Sequence, residues 1–155
     1  MGIVDSKRDS DWMQQALRLA EQASEQGEVP VGALVVLNEE LVGEGWNQPI
    51  SSCDPTAHAE IIALRAAAKH IGNYRLTGAT LYVTLEPCLM CAGAMVHARI
   101  QRLVFGASDP KRGAINSTAQ AFETQGLNHR VEVAGGLMQS ACAEQLQQFF
   151  RTRRC

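Results

Sequence analysis

No apolar run in this chain is long enough to span a bilayer, and its first twenty residues are too polar for a signal peptide. The cytoplasm is therefore the expected compartment. The chain has no internal repeat and no low-complexity tract, which excludes solenoids and tethered tails. It also lacks an even, ordered cysteine set. The five cysteines stand at 53, 88, 91, 142 and 155, and removing Cys88 and Cys91 leaves three with no pairing logic. That pattern suits a reducing environment. Met1 to Ser6 fits a loose myristoylation pattern, but no basic cluster or second lipid signal accompanies it. Asn116-Ser117-Thr118 spells a glycosylation sequon with nothing else to suggest secretion. An excess of positive charge is missing as well: the net charge of −2 argues by itself against a nucleic-acid partner.

The distribution of that charge says more. Residues 1–98 carry six Lys and Arg against twelve Asp and Glu, a net of −6; residues 99–155 carry eight against four, a net of +4. A basic C-terminal third on an acidic body fits a phosphate-binding face, and it also fits paired surface charges that happen to fall this way.

At 155 residues, 46% hydrophobic and 19% charged, the chain reads as one domain over 1–155 with enough material for a core. Trp12, Met13, Ala16, Leu17, Ala20 and Ala23 recur at helical spacing over 11–26, with Ser10 or Asp9 as cap and Gly27 as stop. Val31–Leu37 is a continuous apolar strand, and Asn38-Glu39-Glu40 turns it into a second, Leu41–Trp46. Residues 48–56 form a loop. Helix 57–70 follows, with Ile61, Ile62, Leu64, Ala67 and Ala68 as its buried side and Gly72-Asn73 as its end. Thr80–Leu85 is a buried strand, and Pro87 sits at the favoured first turn of a helix running through Arg99. Leu103–Gly106 is a fourth strand, 107–129 is irregular with a helix near 118–125, and Val131–Ala134 is a fifth strand. A last amphipathic helix and basic tail occupy about 139–155. Strands alternating with helices predict an α/β fold, a three-layer α/β/α sandwich around a five-stranded mixed sheet.

Chemistry concentrates in two short segments, His58-Ala59-Glu60 and Pro87-Cys88-Leu89-Met90-Cys91, each opening an apolar helix. Three ligands, His58, Cys88 and Cys91, leave a tetrahedral Zn²⁺ one open position, the mark of a catalytic rather than a structural site. Helix amino termini favour the thiolate form that binds zinc. Cys88 and Cys91 lie about 60° apart around a helix axis, so both reach one metal, whereas His58 and Glu60 lie about 200° apart. Glu60 is thus placed for the adjacent water rather than the metal, as a carrier of protons. A structural zinc is the competing reading. It needs a fourth ligand, for which Cys53 could reach from its loop while His97 points away, and it leaves Glu60 without a role. His70 and His129 read as surface or packing residues.

A resemblance to one family extends over nearly the whole chain. Asp54-Pro55-Thr56-Ala57-His58-Ala59-Glu60, Asn73-Tyr74-Arg75-Leu76, Thr84-Leu85-Glu86-Pro87-Cys88 and Phe105-Gly106-Ala107 are similar to segments of the bacterial tRNA-specific adenosine deaminases. So are Asp109 with Lys111 and Gly113-Ala114, Leu127-Asn128-His129-Arg130-Val131, and Phe149-Phe150-Arg151 ahead of Arg153-Arg154. These enzymes belong to the cytidine deaminase-like zinc deaminases. The resemblance implies that fold, one Zn²⁺ per subunit and a homodimer. It also implies conversion of the wobble adenosine to inosine in a tRNA anticodon stem-loop, with no DNA expected as physiological substrate. The zinc motif alone belongs equally to deaminases of free guanine, cytosine or adenosine. From the family, Asn47 would hydrogen-bond the purine with help from the backbone at Ala59; a turn asparagine ending a hairpin is the plainer reading. Asp109 resembles an acceptor for a ribose 2′-hydroxyl. Phe149 and Phe150 cannot share one narrow helix face. One continues a core stripe from Ala141, Cys142 and Leu146, and the other, taken as Phe150, flanks splayed bases beside Arg151, Arg153 and Arg154 on phosphates. Two core aromatics and a solvated basic tail fit the same residues.

Overall fold

A computed structural model describes residues 6–153; the myristoylation pattern at the amino terminus, Arg154 and Cys155 lie outside the described residues. The elements run α1 (Ser6–Glu25), β1 (Gly32–Leu37), β2 (Glu40–Trp46), α2 (Ala59–Ile71), β3 (Thr80–Leu85), α3 (Leu89–Ala98), β4 (Arg102–Ala107), a single 3₁₀ turn (Ala121–Glu123), β5 (Glu132–Gly135) and α4 (Gln139–Arg153). The sheet order is β2-β1-β3-β4-β5. β1 is antiparallel to β2 and β3, while β3, β4 and β5 are parallel. This is the expected five-stranded mixed sheet in an α/β/α sandwich.

Alternation along the strands divides the core in two. Ala33 and Val35 of β1, Leu81 and Val83 of β3, and Leu103 and Phe105 of β4 pack under α2 and α3. Their neighbours Leu34, Val36, Tyr82 and Val104 pack on the other face against Met13, Ala16 and Leu19 of α1 and Cys142 of α4. The period of two in side-chain direction produces this split. Asn38 and Glu39, both at positive φ, close the β1–β2 hairpin in two residues, so Glu40 already belongs to the strand.

Local expectations need correcting in four places. Asp9 is no cap: it lies inside α1, fully buried, bonded to the Tyr82 hydroxyl and paired with Arg102. Pro87 precedes Cys88, the residue that caps α3, and so stands outside the helix. Arg99, at φ 57°, ends α3 in a left-handed conformation rather than extending it. The 118–125 helix reduces to the one 3₁₀ turn.

α2 lies close against the edge strand β2. A β-carbon at Gly45 would come 2.7 Å from the Ala59 carbonyl oxygen, and one at Gly43 would come 2.5 Å from that of Ala63. Glycine at these two positions lets the backbones approach and sets where the amino end of α2 falls.

Candidate active site

His58 caps α2 and Cys88 caps α3, each in extended conformation and with no side-chain cap hydrogen bond. The caps therefore turn outward from two neighbouring helix starts. His58 Nδ1 lies 3.5 Å from Cys88 Sγ and 3.5 Å from Cys91 Sγ. Possible ligand atoms of the three residues all fall within 4.8 Å of one another. Usual zinc–sulfur and zinc–nitrogen bond lengths at tetrahedral angles place such atoms about 3.6 Å apart. The donor set thus fits a metal ion by both chemistry and spacing. Cys53, the possible fourth ligand, is exposed, and its thiol points to the Ile50 carbonyl instead. His97 is exposed as well.

Charge in this corner is strongly redistributed. The hydrogen bond from Cys91 is the main cause that pulls the Cys88 thiol down to about 4; burial opposes it and His58 assists. Cys91 is pushed up by that same bond and by burial. Glu60, in the first turn of α2, is 4% exposed. Burial pushes its carboxyl up to about 7, only partly offset by its own backbone N–H and by His58. A carboxyl so placed can hold or release a proton near neutrality.

A cavity of about 760 Å³ opens over this floor at the carboxyl ends of β3 and β4, bordered by Leu85 and Ala107. Ligands of open α/β sheets gather in the crevice outside the carboxyl ends of the strands. His58, Glu60 and Cys88 line it together with the expected Asn47, Asp109 and Phe150. Asn47 follows β2, its N–H donating to the Val31 carbonyl. Ala59 is wholly buried and does not line the cavity, although its N–H is among the first of α2, which have no acceptor within the helix. One oxygen of Asp109, Oδ1, accepts the N–H groups of Lys111 and Arg112, so the residue also shapes its own loop. Arg151 is exposed on α4 and outside the cavity lining.

The C-terminal helix differs from expectation. Cys142 and Phe149 face the core, whereas Ala143, Leu146, Gln147 and Phe150 line the cavity. Ala141, expected in the core stripe, is exposed. The i, i+3, i+4, i+7 spacing of the second stripe is visible in sequence, but a helix touching both a sheet and a cavity carries two apolar stripes and blurs the pattern. Arg153 stacks over the Phe149 ring at 4.9 Å. His129 reaches the Ile100 carbonyl at 2.6 Å, a packing role as expected.

Three contributors were not foreseen. Lys111 and Arg112 stand on the cavity rim. Glu86 is buried at the end of β3, and its oxygens accept bonds from a loop 23 to 31 residues further on. Lys111 and Glu86 stand in segments that carry the resemblance, but that gave neither a role; the positive excess after residue 98 hinted at the two cations, and no local signal gave Glu86 its part.

Fold and site together define a deaminase of the cytidine deaminase-like fold, and a family model described as MafB19-like deaminase matches residues 7–154. A tRNA-specific adenosine deaminase of Haemophilus influenzae is 55% identical over 152 residues, covering 97% of this chain and 88% of its own. A structure solved in work on A-to-I editing by tRNA:A34 deaminases at the wobble position of transfer RNA superposes with a TM-score of 0.86 at 45% identity, over 88% of this chain and 99% of that one. Guanine deaminase from Nitrosomonas europaea shares the fold at a TM-score of 0.76 and 23% identity, over 90% and 83% of the two chains. The chain belongs to the family of tRNA-specific adenosine deaminases.

Proposed function

We propose that this enzyme hydrolyses the wobble adenosine of a tRNA anticodon to inosine and ammonia, with one Zn²⁺ per subunit held by His58, Cys88 and Cys91. One observation carries the reading. A single cavity joins a floor of His58, Glu60 and Cys88 to a mouth bearing Asp109, Lys111, Arg112 and Phe150. The floor supplies the groups deamination needs; the mouth offers cations and an aromatic ring to a polynucleotide.

A zinc ion held by His58, Cys88 and Cys91 would supply Lewis acidity toward the attacking water. Everything else falls to the chain. Glu60 accepts a proton from the attacking water and delivers it to the purine ring nitrogen. The carbon–oxygen bond then forms; Glu60 takes the remaining proton from the new hydroxyl and passes it to the amino group as the carbon–nitrogen bond breaks, which releases ammonia and leaves the carbonyl of inosine. Its pKa of about 7 suits a group that both takes and gives. Asn47 and the Ala59 N–H hold the purine edge, and the Oδ2 of Asp109 accepts the 2′-hydroxyl of a neighbouring ribose. Phe150 flanks a splayed base, with Arg151 and Arg154 on phosphates. Leu89 and Met90, exposed between Cys88 and Cys91, are apolar surface that a homodimer contact would cover. No described helix is long and apolar enough to cross a membrane, in keeping with a cytoplasmic enzyme.

The test incubates metal-loaded protein with an anticodon stem-loop carrying a wobble adenosine and sequences the product for inosine. Turnover of free guanine, cytosine or adenosine with the RNA untouched overturns the reading. Chelation should abolish turnover, and added zinc should restore it.

A further inference from the structure

Loop 108–118 carries Asp109, Lys111 and Arg112 to the cavity mouth and contains no regular element. Five of its donors converge on one side chain outside it. Glu86, 2% exposed, accepts the N–H of Asp109 (3.1 Å) and the hydroxyl of Ser117 (2.5 Å) on Oε1. On Oε2 it accepts the N–H groups of Ile115 (3.1 Å), Asn116 (2.8 Å) and Ser117 (3.0 Å). A carboxylate offers about four acceptor sites, so these donors use the whole capacity and leave none for a proton in flight. The loop wraps the carboxylate closely. A β-carbon at Gly113 would come 2.3 Å from Glu86 Cδ, closer than real contacts allow. A separate backbone bond, from the Ala114 N–H to the Pro87 carbonyl at 2.8 Å, ties the same loop to the segment leading into Cys88.

From this geometry we infer that Glu86 is a positioning residue for substrate recognition: it fixes the polar rim over the metal-ligand cluster and so governs polynucleotide binding without touching the reacting atoms. The inference rests on the RNA reading above. Its chemistry is a register argument. The loop's three rim side chains keep their placement relative to His58 and Glu60 only while both carboxylate oxygens accept. A glutamine would turn an NH₂ toward backbone N–H donors and release part of the loop.

The test compares wild type, Glu86→Gln and Gly113→Ala as metal-loaded full-length proteins acting on the wobble-adenosine stem-loop. Both variants should raise KM about tenfold or more, change kcat by less than about threefold and retain bound metal. Adding Asp109→Ala to Glu86→Gln should cost little more, because Asp109 has already lost its placement. Adding Arg151→Ala, on a helix Glu86 does not hold, should cost its full separate effect. A fall in kcat at unchanged KM, loss of metal, or full additivity with Asp109→Ala overturns the inference. Ser117→Ala removes one donor only and gives a milder version should Glu86→Gln fold poorly. Hydrogen exchange separates this inference from the functional reading. Amides of 109–117 as protected in Glu86→Gln as in wild type overturn the anchor whatever the substrate. A wild type that ignores the stem-loop overturns the RNA reading.

Discussion

Glu60 and Glu86 sit in nearly matching positions and do opposite things. Each is two residues from a candidate metal ligand, one after His58 and one before Cys88, and both are almost wholly shielded from solvent. Burial raises the Glu60 carboxyl to about 7 because little around it compensates the charge. Burial also disfavours the Glu86 carboxylate, yet the N–H of Asn116 and the hydroxyl of Ser117, joined by the Asp109 and Ser117 N–H groups, outweigh it and hold the pKa below the ordinary value. Depth of burial therefore does not decide the role of a carboxylate; the supply of donors does. One group is left free to exchange a proton, and the other is locked ionised as an anchor.

The sharpest way to break this contrast is to remove each charge in turn. Glu60→Gln should cut kcat by roughly 10²–10⁴-fold while leaving bound metal in place and the unfolding midpoint level or raised, since an amide relieves a costly buried charge. Metal loss measured in that variant would make Glu60 a ligand and end the comparison. Glu86→Gln should instead cost about 1–3 kcal/mol in denaturant unfolding, because an amide nitrogen would face N–H donors. That deficit should depend on pH. A depressed folded-state pKa contributes stability fully present above the unfolded carboxylate value and lost as pH falls through the folded value. The gap between wild type and Glu86→Gln should accordingly close in acid. A gap that widens there would mean the carboxylate is not held ionised.

The same contrast explains what the sequence could and could not convey. His58, Glu60, Cys88 and Cys91 were legible because their chemistry is local: ligands three apart on one helix start, and a carboxylate two from a histidine on another. The layered fold was legible from strand and helix periodicity. Glu86 was not, because its partners at 109–117 become neighbours only through the crossover from β4 to β5. Asp9 read as a helix cap for a similar reason, its true partners Tyr82 and Arg102 lying 73 and 93 residues away. The split of α4 into a core stripe through Cys142 and Phe149 and a cavity stripe through Leu146 and Phe150 needs the sheet in place before either can be told apart. Patterns set by neighbours in the chain survive reading; those set by the path of the backbone do not.

Packing offers a third probe, aimed at the floor rather than the rim. Gly45→Ala places a β-carbon against the Ala59 carbonyl and should cost about 1–3 kcal/mol by overpacking. The strain falls on the start of α2, where His58 and Glu60 begin. Metal affinity in chelator competition should therefore drop together with stability, while protection of the 109–117 amides stays at the wild-type level. Gly113→Ala should show the reverse, an altered rim over an intact metal site. Identical profiles for the two variants would show that floor and rim are one cooperative unit rather than two separately anchored regions.

The smallest expected effect comes from Arg151, which belongs to the rim in function but not to the loop Glu86 holds. Its side chain is exposed on the last turn of α4. If it meets a phosphate, Arg151→Ala should weaken stem-loop binding a few-fold and reduce the slope of log affinity against log salt by about 0.7, leaving kcat unchanged. Arg153, two residues on, is already stacked over the Phe149 ring. Its alanine variant should therefore lower stability slightly, by about 0.5–1 kcal/mol for an exposed cation–π contact, and leave the salt slope alone. An unchanged slope for Arg151→Ala, or equal slopes lost from both variants, would move phosphate recognition off α4 and onto Lys111 and Arg112, making the rim anchored by Glu86 the main electrostatic contact with RNA.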